Sequence, residues 1–381
     1  MLFETPSLDD RELEVLERID DLKEKLRWQL HEPRRWIGSL RRLSFARAIQ
    51  GSNSIEGYDA KLDDAAAVAV GEEPIDASSE TRLALEGYRD AMTYVLQMAG
   101  EADFEYSAQL LKSLHFMMTS YSLQNRPGLW RAGAVYVRKE ETGEIVYQGP
   151  DLDEVPRLMQ DLVAEMNVGS SGSPPLVRAG MAHLDLVMVH PFRDGNGRMA
   201  RCLQSLVLAR SGVLAPVFMS IEEYLGRHTQ QYYDVLAEVG QGSWQPANDA
   251  RPWLRFTLKA HLSQAATLLR RVRESENMWV ELERIVDRTG LPARTMNVLF
   301  DASLHLRVRN STYRAGLKEA EEEITEQTAS RDLKQLVDLG LLVAKGERRG
   351  RFYVAGAEIL EMRRSIVATR PPVDQTDPFA A

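Results

Sequence analysis

Residues 190–201 read HPFRDGNGRMAR. A long apolar helical pattern, LVRAGMAHLDLVMVHPF, runs into this stretch and stops at Pro191. Proline has no N–H to donate and disfavours helix in the residue before it. The turn Asp194-Gly195-Asn196-Gly197 holds two glycines, which adopt backbone angles closed to other residues. A second helical pattern, RMARCLQSLVLARSG, opens at Arg198. Free N–H groups at such a helix start point into the turn and make an anion site. Arg198 and Arg201 occupy neighbouring positions on one helical face. Two guanidinium groups beside an anion-binding helix start suit a polyphosphate. Asp194 is a hard oxygen ligand of the kind Mg²⁺ shares with phosphates. His190, across the turn, is a near-neutral base able to take a proton from an attacking hydroxyl. Base, metal ligand, anion nest and arginine clamps together make a phosphoryl-transfer centre. The plain alternative, a solvated Asx-Gly turn between two helices, needs none of these groups so close together.

Composition sets the frame for such a site. The 381 residues suffice for two or three domains with a sizeable core. The net charge of −9 argues against a protein that coats nucleic acid or anionic membrane with its whole surface, though one basic patch remains compatible with it. The single cysteine, Cys202, excludes an intrachain disulfide and a cysteine-based metal cluster, and suits a reducing cytosol. The N-terminus MLFETPSLDDRELEV lacks a basic region followed by an apolar one, so no signal peptide is expected. No apolar run approaches bilayer length. A cytoplasmic protein without a membrane partner is the expectation.

Along the chain, residues 13–30 place Leu13, Leu16, Ile19, Leu22, Leu26 and Leu30 on one helical face. That stripe serves core packing or a homodimer equally well. Two helical patterns follow within 61–100 and another at 107–123. The run VYVRKEETGEIVYQGP at 135–150 alternates β-formers around a Glu-Thr-Gly turn and predicts a β-hairpin. Helices are expected at 152–167, at the two segments flanking the glycine turn, at 220–240 and at 250–274. The last hundred residues give four helical patterns, beginning with MWVELERIVDRTG, and then two strand-like runs, LLVAKG and GRFYVAG, joined by the basic turn GERRGR. Helices followed by a basic hairpin form a winged-helix pattern. The tail RPPVDQTDPFAA is polar and proline-rich and is expected to be disordered.

HPFRDGNGRMAR resembles the signature of the Fic family, His-Pro-Phe-x-Asp/Glu-Gly-Asn-Gly-Arg-x-x-Arg, at every fixed position. The resemblance spans most of 35–260, with the signature its one highly specific part. It implies a protein adenylyltransferase that moves AMP from ATP onto a Ser, Thr or Tyr hydroxyl of a target protein, with Mg²⁺ as cofactor. By that resemblance His190 is the general base and Phe192 the buried anchor of the loop. Asp194 binds Mg²⁺ between the α- and β-phosphates. Gly195, Asn196 and Gly197 cradle the phosphates, and Arg198 and Arg201 hold the β- and γ-phosphates. A related branch with Ala-Asn-Lys in the nest transfers the γ-phosphoryl group, and Gly-Asn-Gly favours AMP transfer. The hairpin, with Tyr136, Val137, Ile145 and Val146, resembles the family flap, which takes the target backbone as an added strand. Tyr232 and Tyr233 in QQYYDVL resemble a Tyr-Tyr segment near the adenine. Adjacent helical residues do not share one face, so one of the two tyrosines is expected in the core.

Residues 52–57, SNSIEG, admit two readings. Asn53-x-x-Glu56 fits a helix-starting capping box. Ser52-x-x-x-Glu56-Gly57 also resembles the inhibitory motif that some Fic proteins carry before the core. That resemblance implies that Glu56 pairs with Arg201, keeps it from the γ-phosphate and leaves bound ATP misaligned. It also leaves open a second activity, removal of AMP from the modified target.

In the C-terminal region, ITEQTASRDLKQLVDLGLL and KGERRGRFYV resemble the winged-helix domain often fused to Fic cores. Thr328, Ser330, Arg331 and Lys334 would face outward on the recognition helix, with Arg348, Arg349 and Arg351 on the wing. DNA binding and protein contact both remain open. The expected fold is mainly α: an N-terminal helical region at 1–100, a helical Fic core with a β-hairpin flap at 101–265, a winged-helix domain at 275–366 and a disordered tail at 367–381. A DNA-binding regulator whose Fic core only senses nucleotide, or another phosphotransfer by the same fold, stands as the alternative function.

Overall fold

The computed structural model describes residues 1–31, 34–138, 145–168, 172–212, 218–319, 322–347, 350–370 and 376–380. The helices are α1 (Asp10–His31), α2 (Ile37–Ser54), α3 (Leu62–Ala69), α4 (Ser79–Met98), α5 (Ala108–Thr119), α6 (Val155–Val168), α7 (Pro175–Val189), α8 (Asn196–Ala209), α9 (Glu222–Arg227), α10 (Thr229–Gly240), α11 (Arg251–Thr289), α12 (Met296–Ser303), α13 (Asn310–Glu319), α14 (Glu326–Asp338) and α15 (Ala357–Ala368). The strands are β1 (Tyr136–Arg138), β2 (Ile145–Gln148), β3 (Leu342–Lys345) and β4 (Phe352–Ala355). The chain is mainly α, as expected.

Contacts divide it into two units, one of Met1–Glu24, Phe45–Ala266 and Thr376–Ala381, the other of Lys25–Ser44 and Thr267–Gln375. The division differs from the linear one read from sequence, because Lys25–Ser44 packs with C-terminal residues. Trp36 is buried near Phe300, and Arg42 donates to the Asp301 carboxylate at 2.8 and 2.9 Å. Residues 250–274 and the following MWVELERIVDRTG form one helix, α11, since nothing after Pro252 in Arg251–Thr289 breaks it. The tail also differs from its expected disorder. Helix α15 runs to Ala368, Lys259 reaches the Asp377 carboxylate at 2.6 Å, and Arg255 lies 5.3 Å over the Phe379 ring.

The core of the first unit is built on α7 and α8, which pack along each other, with α4 and α5 against α8 and α6 against α7. Nearly every residue of α7 and α8 is buried. Both helices are therefore enclosed on nearly all sides at the centre of the unit, with the polar Arg198, Arg201 and Gln204 of α8 buried among them. The antiparallel pair β1 and β2 stands at one side, with its connecting turn outside the described residues. Tyr147 fixes the pair to the core, donating to the Met188 carbonyl at 2.8 Å. In the second unit, α12, α13 and α14 precede the antiparallel pair β3 and β4. Val308 bridges Tyr353 beside that pair.

Candidate active site

Helix α7 ends at His190, whose φ of 52° puts it in the left-handed region. Pro191 then forbids a further helical turn. The loop to α8 is closed by Asn196, which accepts from the Phe192 N–H at 2.9 Å and donates to the Phe192 carbonyl at 3.0 Å. The Asn196 side chain therefore braces the loop. Only its backbone N–H is left to meet an anion. Gly195 caps α8 with a φ of 76°. The first N–H groups of a helix have no intrahelical acceptor, and here they border the turn.

Phe192 is fully buried and stacks on His115 with ring centres 3.8 Å apart. His115 accepts from the Gly128 N–H at Nδ1, so its Nε2 carries the proton and donates to the Asp194 carbonyl at 2.9 Å. Burial holds the His115 pKa down to about 4, so the ring is neutral and this tautomer persists. His115 thus clamps the turn. Sequence reasoning missed it, because one histidine inside a helical pattern carries no local signal of a partner 79 residues away.

His190 Nδ1 lies 3.1 Å from the Val187 carbonyl. A carbonyl only accepts, so Nδ1 bears the proton and Nε2 keeps its lone pair. Burial lowers the His190 pKa, so the imidazole is a free base at neutral pH. Asp194 receives one bond at Oδ2, from the Asn125 amide at 2.8 Å, and its side chain is 39 % exposed. A half-exposed carboxylate beside an anion nest suits a Mg²⁺ ion that takes its other ligands from water and phosphate.

Arg198 and Arg201 are buried at 0 % and 1 % exposure. Arg198 donates to the Tyr121 hydroxyl at 3.2 Å and lies 5.2 Å over the Tyr58 ring. Its Nε and Nη2, with Nη1 of Arg201, have no hydrogen-bond partner among the described residues, although Nη2 of Arg198 lies 3.7 Å from the Asp194 carboxylate. Buried guanidinium N–H groups left this way are costly unless an anion arrives to meet them.

The end of α2 and the turn after it meet Arg201. Nε of Arg201 donates to Ser52 Oγ at 2.8 Å, and Nη2 donates to the Ser52 carbonyl at 2.9 Å and to Glu56 Oε1 at 2.6 Å. Burial acts to raise the Glu56 pKa, but Arg201 and then Arg198 outweigh it, so the carboxyl stays ionised below its usual range. SNSIEG does not start a helix. Asn53 lies in the last turn of α2 and donates to the Ile49 carbonyl, while the Glu56 and Tyr58 N–H groups donate to the Asn53 carbonyl. Gly57, at a φ of 81°, completes the turn beyond the helix end. The capping box is corrected to a helix-ending turn that presents Glu56.

Of the two tyrosines on α10, Tyr232 is core, its hydroxyl 3.0 Å from His183 Nε2. Tyr233 is 44 % exposed and donates to the Ile55 carbonyl at 2.8 Å, beside Glu56. On the flap, Tyr136 and Ile145 are exposed, Val146 is half-buried and Val137 packs on the core. In the second unit, Ser330, Arg331, Lys334 and Arg351 are exposed, and Thr328 is drawn into the cap of α14, its N–H donating to Thr325. Arg348 and Arg349 lie outside the described residues.

Residues 105–208 match the Fic/DOC family model. The protein adenylyltransferase Fic of Nematostella vectensis is 26 % identical over 266 residues, 67 % of this chain and 55 % of its own length. The protein adenylyltransferase fic-1 of Caenorhabditis elegans is 34 % identical over 129 residues, 34 % of this chain and 23 % of its own. At its longest of these matches, the chain spans about half of the relative's length. A Fic family protein from Desulfovibrio desulfuricans G20 superposes with a TM-score of 0.57 at 20 % identity, covering 93 % of this chain and 98 % of its own. The structure of Fic-1 from C. elegans gives 0.53 at 24 % identity, covering 68 % and 72 %. Helices α5 to α8, the histidine loop and the glycine turn fall inside the matched segment or at its edge, so the part of the chain that holds the site is the part that is similar to the Fic/DOC family.

Proposed function

We propose that the protein is an adenylyltransferase that moves AMP from ATP to a hydroxyl of a target protein and is held inactive by Glu56. The observation that carries the reading is the set of three guanidinium nitrogens on buried Arg198 and Arg201 that lack a hydrogen bond among the described residues, beside the start of α8. A polyphosphate answers their chemistry. The α-phosphate reacts when an acceptor hydroxyl gives its proton to Nε2 of His190 while its oxygen bonds to the α-phosphorus. The bond from that phosphorus to the bridging oxygen breaks, and pyrophosphate leaves against the two arginines. Asp194 with the phosphates would hold Mg²⁺, which supplies charge neutralisation on the transferring group.

Glu56 opposes this by occupying Arg201. A Cβ built on Gly197 would strike Glu56 Oε1 and come within 3.0 Å of Arg201 Nη1, so the carboxylate lies where the turn would receive an anion. The second unit carries exposed Arg331, Lys334 and Arg351, and we read it as a winged helix that contacts DNA or protein. The deciding test is AMP incorporation from α-labelled ATP with Mg²⁺, with γ-labelled ATP in parallel. Label from the α-position alone supports the reading. Label from the γ-position alone would move the protein to phosphoryl transfer.

A further inference from the structure

Beside the histidine loop lies an open cavity of about 470 Å³, lined by Arg126, Arg131, Arg193, Ala134, Val135 and Tyr136 among others. Among the described residues its lining holds three arginines and no carboxylate. Arg131 is spent on the fold: it donates to the carbonyls of His190 at 3.1 Å, Gly133 at 2.8 Å and Pro150. Arg193 is exposed and uses Nη1 on the Gln124 carbonyl at 2.9 Å, leaving its other N–H groups toward solvent. The Arg126 side chain is half-buried and makes no hydrogen bond or ion pair among the described residues. The wall of the cavity is tied to two parts of the transfer site. Arg131 ties its wall to His190, and Val135 and Tyr136 lead into β1, the flap strand.

Resting on the adenylyltransferase reading, we propose that this cavity selects the target: it receives a Glu or Asp side chain flanking the acceptor hydroxyl, with Arg126 and Arg193 as its counter-charges. A target segment laid along β1 passes the cavity as it approaches His190. A carboxylate there meets two guanidinium groups in a partly desolvated recess with an apolar wall, where a planar acid and a planar guanidinium pair best. The nucleotide arginines Arg198 and Arg201 do not line the cavity, so the triphosphate has its own site.

The test uses full-length Glu56→Gly protein and three degenerate peptide sets with one central Tyr or Thr. The sets are identical except that one flanking position is fixed as Glu, Gln or Lys. Incorporation from α-labelled ATP is expected to favour the Glu set over the Lys set by roughly fivefold, the scale of partly exposed ion pairs. The difference should lie in KM and not kcat, because the contact is made equally in the ground and transition states. Arg126→Gln should flatten the preference, and Arg126→Glu should turn it toward the Lys set, both with unchanged ATP affinity. Equal labelling of all three sets by Glu56→Gly overturns the inference and leaves the transferase reading standing. A loss of ATP affinity in Arg126→Gln overturns it too, by assigning the arginines to nucleotide. No labelling of peptides or of the protein itself removes the transferase reading and the inference with it.

Discussion

Nη2 of Arg201 lies 2.6 Å from Oε1 of Glu56, and a methyl group on Gly197 would strike that same oxygen. One carboxylate thus covers a guanidinium and the concave face of the glycine turn together. Removing it frees both, so Glu56→Gly is expected to raise AMP incorporation by at least about tenfold, the factor that 1.4 kcal/mol of released pairing supplies. Glu56→Gln keeps the shape and a hydrogen bond but loses the charge, and should fall between wild type and Glu56→Gly. Initial rates with α-labelled ATP check this. Equal rates for wild type and Glu56→Gly would reduce Glu56 to a residue of a helix-ending turn.

Gly197→Ala separates the brake from the nest. Its Cβ would push the Glu56 carboxylate away, yet on the proposed function the methyl group would stand where a phosphate is expected. Activity should stay at or below the wild-type level. Adding Glu56→Gly to Gly197→Ala should restore little, less than a tenth of the rate of Glu56→Gly alone on the tenfold-per-1.4-kcal/mol scale. A double variant as fast as Glu56→Gly would show that Gly197 takes no part in holding phosphate.

Much of this site was legible because its chemistry is local. His190, Asp194, the two glycines and the two arginines fall in one turn and its flanking helices, and proline and glycine set that turn by backbone sterics. What holds the turn was not legible. His115, Asn125 and Gly128 act across 79, 69 and, through His115, 13 residues of sequence, and no periodicity encodes such pairs. Asn196 fits a phosphate nest and a loop brace equally well as a residue type, and only coordinates show its amide on Phe192. The same limit explains α11 and the tail. Helix continuity through 274–277 and the docking of Phe379 depend on tertiary packing that overrides a polar composition.

Helix α2, whose end presents Glu56, is seated glycine against backbone. A Cβ on Gly51 would overlap the Glu222 carbonyl, and a Cβ on Gly226 would come within 2.8 Å of the Gly51 Cα. Neither residue touches Arg201, so Gly51→Ala and Gly226→Ala should shift the end of α2 and raise AMP incorporation without changing any charged group. Both should also lower the melting temperature, since overpacking costs typically about 1–3 kcal/mol. The rate gain should vanish in a Glu56→Gly background, where no brake remains to be displaced. A further gain in that background would mean that the glycine contact acts on something other than Glu56.

Tyr58 gives Arg198 a cover of its own. Its ring lies 5.2 Å beneath the guanidinium carbon, and its hydroxyl meets that of Tyr121 at 3.3 Å. Burial and the neighbouring Tyr121 push the Tyr58 pKa up, so the hydroxyl is neutral and the contact is one of cation and ring face. Tyr58→Ala in the Glu56→Gly background is expected to lower the KM for ATP by at least about twofold, since a cation–π pair is worth about 0.5 kcal/mol or more and Arg198 is buried. A higher KM would make Tyr58 part of the nucleotide site and not of its cover.

The pH profile tests His190 as the base. Only the neutral imidazole accepts the hydroxyl proton, and burial lowers its pKa below the ordinary 6.5. The rate should therefore rise with pH along an acid limb whose midpoint lies below 6.5 and stay level through neutrality. Glu56 attracts the protonated ring and works to raise that pKa. Its removal in Glu56→Gly should move the limb further toward acid, and Glu56→Gln should do the same. The measurement is the single-turnover rate with saturating ATP and Mg²⁺ across pH 5 to 9, with His190→Ala as the control that loses activity throughout. A midpoint above 7 would mean that the imidazole is held as its cation, and His190 could not then serve as the proton acceptor at neutral pH.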